Sequence, residues 1–590
     1  MNLIKHLANT LLYKYANKFA FTISFFAIFV IIFDLGVSQT RLMQKHIDHF
    51  YLFILIVGLF TVLLRYLHKD SLPRTKVRIY DLINFISVIL IFVARFSKDH
   101  NEFVHLLKSD FILRLAVFLT FIREYSTMNI TFKRTAINPI KLLIFSFLIV
   151  IFLGTFLLML PNATRTGISF IDALFTSTSA VCVTGLIVVD TATYFTQFGQ
   201  IVIMVLIQLG GLGILTFAGY FIYFFTGESN YENRLTFSDM TNSQNLNDVF
   251  VILKRILIIT FTVEAFGAIL IWFSLSHQSI QNIYDKLFFS IFHSISAFCN
   301  AGFSTLTNNM YEEAYRYNYF LHLILIFLII IGGLGFPIVS NIIKYIRYFI
   351  FHRLLNFSES KKKYIPWVLN LNSRIIIITT IVLLLVGTFL IYFVEYHNTL
   401  AEHSAFGKIV TALFTSTSPR TAGFNSIDFS ALRFSSILLV IFLMWIGASP
   451  ASTGGGIKTS VFAISVLNFI SLAKGKTRLE LYRREIADIS VRRAFATIFL
   501  SFLVIGIGIY LISIFDSDKN LISIAFETFS AYSTVGLSIG ITALLGTASK
   551  TVLITVMFIG RLSTLTLLMA FIKKEKYSKY RYPNEEVIIN

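Results

Sequence analysis

Apolar stretches of about 20 residues recur along the chain, and about 20 residues at 1.5 Å each cross the hydrocarbon core of a bilayer. Four lie near 17–36, 50–66, 81–96 and 111–122. The rest come in pairs: 140–160 with 196–225, 250–275 with 320–350, 374–395 with 434–471, and 492–515 with 549–572. Between the members of each pair sits an apolar segment of roughly a dozen residues, too short to span. It predicts a re-entrant helix that reaches mid-membrane and turns back.

These short segments are copies of one pattern. They read Ala173-Leu-Phe-Thr-Ser-Thr-Ser-Ala-Val-Cys-Val-Thr-Gly185, Ile291-Phe-His-Ser-Ile-Ser-Ala-Phe-Cys-Asn-Ala-Gly302, Ala412-Leu-Phe-Thr-Ser-Thr-Ser-Pro-Arg-Thr-Ala-Gly423 and Ala525-Phe-Glu-Thr-Phe-Ser-Ala-Tyr-Ser-Thr-Val-Gly536. A lone glycine after a short helix is ordinarily a C-cap or a close-packing position. Four at matched positions, each inside its own re-entrant unit, point to a shared structure. The predicted fold is an all-α polytopic membrane protein, with four helix–pore-helix–loop–helix repeats around a central ion pore and accessory transmembrane helices before them. The expected boundaries are 1–137 for the accessory helices, 138–228, 249–352, 371–473 and 490–575 for the repeats, and 576–590 for a cytoplasmic tail.

Composition agrees with a lipid environment. Of 590 residues, 56% are hydrophobic and 14% charged, with 50 Lys+Arg against 31 Asp+Glu. Soluble domains carry about 25% charge, so a water-soluble enzyme is excluded. The excess of basic residues does not indicate nucleic acid, because it falls between apolar segments: Lys344 to Arg374, Lys474 to Arg493, and the tail from Lys573. The connections near 304–319 and 396–408 hold one basic residue each, Arg316 and Lys408. The positive-inside bias makes the basic loops cytoplasmic; membrane lipid or a cytosolic partner would meet them there. The N-terminal stretch leads into a full apolar segment without a small-residue cleavage site, which reads as an anchor. Cys182 and Cys299 have no ligand-spaced companions, so neither a zinc site nor a disulfide framework is expected. No cluster of His, Asp or Cys in an apolar helix suggests catalysis.

Irregular backbone at membrane depth is tolerated only where it is buried in protein or lines a water-filled path. Four such loops meeting at one axis could turn carbonyl oxygens toward a cation and replace its hydration shell. That ring must offset a desolvation cost of order 20 kcal/mol. Glycine suits it, because turned carbonyls require left-handed backbone angles.

A second irregular stretch interrupts the apolar run 434–471. Gly447, Pro450 and Gly454, Gly455 and Gly456 should open the helix, since proline removes a donor and each glycine forgoes about 1 kcal/mol of helix propensity. Ser449, Ser452 and Thr453 could bond the freed backbone groups, with Lys458 at the end of the loop. Arg561, about 18 Å along a helix from Lys573, is too deep to snorkel easily and should face the interior. The expectation is a gate made of this loop and Arg561, the arginine acting as a positive barrier, a structural cation held by helix-end carbonyls, or both. Arg420 and His293 are expected to brace loops, Asp190 and Asp428 to lie at the outer mouth, and Glu264 and Glu527 to serve packing. Arg114 and Arg123 are too few for a voltage sensor with several gating charges, so the N-terminal helices read as an accessory domain.

The residues now carry a resemblance. Val183-Thr184-Gly185-Leu186, Asn300-Ala301-Gly302-Phe303, Thr421-Ala422-Gly423-Phe424 and Thr534-Val535-Gly536-Leu537 look like the filter segments of the Trk/Ktr/HKT potassium transporters. Gln208-Leu-Gly-Gly-Leu-Gly213, Gly447-Ala-Ser-Pro-Ala-Ser-Thr-Gly-Gly-Gly-Ile-Lys458 and Gly560-Arg-Leu-Ser-Thr564 resemble that family in the same order, over about 138–575. The resemblance implies a single-file path selective for K+ over Na+, its filter formed by the quoted segments together with Cys299 and Ser533. It further implies K+ as the transported ion, no covalent cofactor, a homodimer, a cytosolic nucleotide-binding ring of TrkA/KtrA type, and residence in the cytoplasmic (inner) membrane. Gly185 fits the K+-conducting members rather than the Na+-selective plant forms, which carry serine there. Cys182, Cys299 and Ser563-Thr564 depart from the pattern. A symporter coupling K+ to Na+ or H+ is the alternative, and it would want carboxylates near the midplane.

Overall fold

The computed structural model describes residues 2–67, 75–96, 109–127, 139–213, 249–275, 282–349 and 369–572. The expected cytoplasmic tail, Lys361 to Lys363, and the basic residues from Lys573 onward lie outside the described residues. Four helices come first, Asn2–Gly36, Arg41–Leu67, Thr75–Phe96 and Asp110–Thr127. They close on an apolar center of Ile54, Leu55, Val88 and Val117. Two arginines of the last helix are paired within this bundle. Arg114 Nε lies 2.7 Å from Asp34, and Arg123 donates to both carboxylate oxygens of Asp81.

Each repeat then begins with a long helix: Pro139–Leu158, Val249–Ser274, Leu371–Glu395 and Asp488–Phe515. A short one follows: Phe170–Val181, Ile283–Phe298, Ala405–Thr417 and Leu521–Ser533. Every short helix starts on a polar cap, with Ser169, Asn282, Ser404 and Asn520 each accepting a main-chain N–H of the first turn. Such a cap contributes about 1 kcal/mol. The short and long helices cross at small residues. A Cβ added to Gly154, Gly267 or Gly387 would come within 2.6 Å of Ser177, Ser294 or Ser416 Oγ, and one on Gly508 would sit 2.8 Å from Thr528.

The last helices of the repeats differ from expectation in all but the third. Only the third was predicted to break, and it does, into Phe434–Trp445 and Thr459–Ala473. The second and fourth are broken as well, Tyr319–Leu334 turning by 106° into Phe336–Phe349, and Thr547–Leu562 turning by 88° into Thr564–Phe571. In the first repeat Gln197–Leu212 stops at Gly213. Gly213, where the first of these helices ends, and the hinge residues Gly335 and Ser563 all have positive φ, +80°, +80° and +69°. A left-handed residue cannot continue a right-handed helix. The straight-helix measure of the depth of Arg561 therefore fails, because the bend at Ser563 lies between it and Lys573.

Among the described residues, five helices are long and apolar enough to cross a membrane, or seven if each bent pair is one span.

Candidate functional site

The four glycine loops meet in a closed ring. A Cβ on Gly185 would lie 2.3 Å from Ala301 O, and one on Gly302 would lie 2.9 Å from Ala422 O. One on Gly423 would lie 2.3 Å from Val535 O, and one on Gly536 would lie 2.2 Å from Thr184 O. Each unit thus touches the next, and the fourth returns to the first. Any side chain at these positions collides with a neighboring main-chain oxygen.

Two residues before each glycine, the backbone is again left-handed. Val183, Asn300, Thr421 and Thr534 have φ of +56°, +59°, +71° and +51°, and the glycines have φ between +71° and +89°. None of the first four is a glycine, and Val183, Thr421 and Thr534 are β-branched residues for which this region is a genuine outlier. The sequence reading assigned left-handed angles to the glycines alone. Such residues persist only where the surroundings over-determine them. Here the surroundings are a set of serines. Ser179 Oγ donates to Leu186 O (2.8 Å), Ser296 Oγ to Phe303 O (2.7 Å), and Ser418 Oγ to Phe424 O. Gly185 N and Gly536 N donate to Ser179 Oγ and Ser530 Oγ. The serine six residues before each glycine, five in the shorter third loop, was visible in the aligned segments and was not singled out. These bonds also show that the Leu186 carbonyl is turned back to its own short helix.

The other quoted residues distribute as follows. Cys299 turns its thiol away from the ring toward Glu264 (3.8 Å) and Gln208 (3.9 Å), and Gln208 Nε2 donates to Glu264. Thr184 Oγ1 and Ser533 Oγ are buried without a hydrogen-bond partner. On one side of the ring a cavity of about 380 Å³ is lined by all four glycines and includes Asp190 and Asp428. His293 bridges Phe289 O and Ser304 Oγ, both at 2.9 Å, and Arg420 reaches Thr380 on the long helix of its own unit. Glu527 accepts from Ser538, Ile539 N and Thr542, tying the fourth short helix to the segment beyond its loop.

The break in the third last helix lies directly against the ring on the other side. A Cβ on Gly454 would come within 2.2 Å of Thr421 Oγ1, and one on Gly455 within 2.4 Å of Thr534 Oγ1. Gly455 N donates to Thr534 Oγ1 at 2.9 Å, and Asn300 Nδ2 donates to Thr421 Oγ1 at 3.1 Å. The left-handed residues of three loops are therefore in one network with this segment. Gly447 folds back on Gly455, where a Cβ would sit 2.3 Å from the carbonyl oxygen. Ser449 donates to Gly333 O through its N–H (3.0 Å) and to Leu334 O through its hydroxyl, filling the hinge of the second unit. Ser452 Oγ closes onto Ser449 O, Thr453 Oγ1 points to Phe298 O, and Lys458 Nζ donates to Gly454 O at 2.7 Å. Arg561 spans what remains. Its guanidinium donates to Thr453 O in the segment and to Gly210 O (2.6 Å) at the end of the first unit.

The chain as a whole has counterparts among known proteins. The family model described as TrkH, cation transport protein, matches residues 111–580. The chain belongs to the TrkH family of cation transport proteins. It is 36% identical over 457 residues to the Ktr system potassium uptake protein B of Bacillus subtilis, covering 77% of this chain and 97% of that protein. It is 34% identical to the potassium/sodium uptake protein NtpJ of Enterococcus hirae, covering 77% and 98%. Its fold matches the crystal structure of the potassium transporter TrkH from Vibrio parahaemolyticus with a TM-score of 0.57 at 18% identity, over 85% of this chain and 97% of that one. Family membership and the apolar spans together make the chain a multi-pass membrane transporter of the cell membrane rather than an enzyme.

Proposed function

We propose that the chain takes up potassium through the ring of four loops, with main-chain carbonyls from residues 183–185, 299–302, 421–423 and 533–536 replacing the hydration shell of the ion. The observation that carries this reading is the cyclic contact of Gly185, Gly302, Gly423 and Gly536. The unpartnered hydroxyls of Thr184 and Ser533 support it, since buried hydroxyls without partners are costly unless something else uses their lone pairs. The two carboxylates of the cavity, Asp190 and Asp428, would concentrate cations on the side the sequence makes extracellular.

The segment 446–458 and Arg561 form the closed gate in this reading. Arg561 both adds a positive charge below the ring and latches the segment to the first unit through two carbonyls. Opening requires those bonds to part. On the resemblance and on relatives named as members of a Ktr system, a homodimer and a cytosolic nucleotide-binding ring complete the assembly. Coupling to Na+ or H+ finds less support, because Glu527 is held by three donors and Glu264 by Gln208.

Uptake of 86Rb+ by proteoliposomes of the purified protein tests the proposal. Uptake that K+ competes away, and that persists without a Na+ or pH gradient, is expected. A strict requirement for either gradient would replace the channel-like reading with symport.

A further inference from the structure

The helix Thr459–Ala473 leaves the candidate gate and ends at a small hairpin that the transport reading does not use. The hairpin pairs Glu480–Leu481 with Glu485 and Arg484, and its turn places Tyr482 and Arg483 at φ +50° and +61°. It is fastened to the membrane helices. Leu479 and Ile486 are buried in a cluster with Ile375 and Ala463, Ile486 N donates to Leu479 O, and Ser471 Oγ donates to Arg478 O at 3.1 Å. Movement of the hairpin therefore carries the helix below the gate with it.

The surface it presents is basic. Seven Lys and Arg side chains between 474 and 493 are exposed, among them Lys474 and Lys476 in the approach and Arg483 and Arg484 at the tip, against the exposed carboxylates Glu480, Glu485 and Asp488. Arg478 and Glu485 pair at 3.6 Å, and Arg374 lies 5.9 Å over the half-exposed ring of Tyr482.

Depth decides what this surface meets. The 15 residues of Thr459–Ala473 extend about 22 Å at 1.5 Å each. Half a bilayer, headgroups included, is about 20–22 Å. A helix that starts just under mid-membrane delivers its basic end to the headgroup layer, on the side that positive residues assign to the cytoplasm. An aromatic residue among basic ones is the composition of that layer.

We propose that the hairpin at 474–493 binds the anionic phospholipid headgroups of the cytoplasmic leaflet, and that this binding favors withdrawal of the segment 446–458 from the ring. The second clause rests on the gate described above; the first does not.

Full-length protein carrying Thr477→Cys, an exposed position, accepts a fluorophore there, because Cys182 and Cys299 are buried. The label is read in phosphatidylcholine vesicles with and without about one-third phosphatidylglycerol, using headgroup spin-labeled forms of either lipid as quencher. Quenching by phosphatidylglycerol is expected to exceed that by phosphatidylcholine about twofold or more, and to even out in about 0.5 M salt. The preference should vanish when Lys474, Lys476, Arg483 and Arg484 are changed to Gln. Equal quenching, or a preference that survives in that variant, overturns lipid binding. In the same vesicles, 86Rb+ uptake should rise about threefold with phosphatidylglycerol in the parent and stay flat in the variant. Lipid preference without any effect on uptake overturns the link to the gate. Lipid-independent uptake, with a variant defective only in cells, assigns the surface to a cytosolic protein instead. Absence of all uptake removes the transport reading and leaves the quenching result standing.

Discussion

In the N-terminal bundle Arg123 meets Asp81 and Arg114 meets Asp34, whereas Arg561 beside the glycine ring meets no carboxylate among the described residues and donates to two main-chain carbonyls. Both regions bury cations in an apolar setting, and they satisfy them differently. A paired charge is neutral as a unit and serves to hold helices together. An arginine held only by dipoles keeps its net charge, and in the proposed reading that charge would act on an ion in the ring. The same contrast separates the two sets of polar side chains. The bundle matches carboxylates with cations and hydroxyls, as Thr61 does with Glu124. The ring uses its serines to position carbonyls.

The comparison breaks most visibly at the ring. Gly536→Ala places a methyl 2.2 Å from Thr184 O at φ +88°, and should lower 86Rb+ uptake about 100-fold or more, as a perturbation of about 3 kcal/mol in the path implies. The protein should still elute as a single species on gel filtration. Wild-type uptake in this variant would refute a path through the ring. Next comes Asp81→Asn, which removes the buried carboxylate that accepts from Arg123 and should cost about 3–5 kcal/mol of stability, measured by thermal unfolding in detergent. Replacing Asp81 and Arg123 together by Leu and Met should recover most of it, with uptake unchanged. If neither variant moves the melting temperature, the ion pairs are not what holds the bundle.

Arg561→Ala sharpens the other side. Loss of a barrier and a latch should raise resting uptake about tenfold, the equivalent of 1.4 kcal/mol, and a folded variant with unchanged uptake would reduce Arg561 to scaffold. Ser296→Ala should have a smaller effect, about 1 kcal/mol for one buried hydrogen bond, read as weaker discrimination of Rb+ against Na+ in competition. The smallest effect belongs to Glu485→Gln. Its exposed pair with Arg478 is worth about 0–1 kcal/mol, so melting temperature should not shift measurably.

The sequence disclosed the repeats, the short helices and the third break because each rests on a local rule: apolar length, a recurring segment, or proline with glycine. It did not disclose the hinge at Ser563, where no proline marks the break and a single positive φ leaves the composition unchanged. The hinge at Gly335 did carry a local signal, Gly332, Gly333 and Gly335 followed by Pro337, which was not singled out. Asn300 and Thr534 were likewise unreadable as left-handed positions, since the serines and the neighboring loops that hold them there are tertiary. The charge-paired bundle was half legible. Arg114 and Arg123 stood out in an apolar stretch, but their partners Asp34 and Asp81 are 80 and 42 residues away, and nothing local links them.

The fourth repeat closes on the first through Gly536 and Thr184, and Lys550 reaches Asp172 at 2.7 Å. The hoop thus has a joint made without a peptide bond and as intimate as the three that are spanned by chain. A circular permutant opened between the second and third repeats is therefore expected to keep the four ring contacts that the native chain makes.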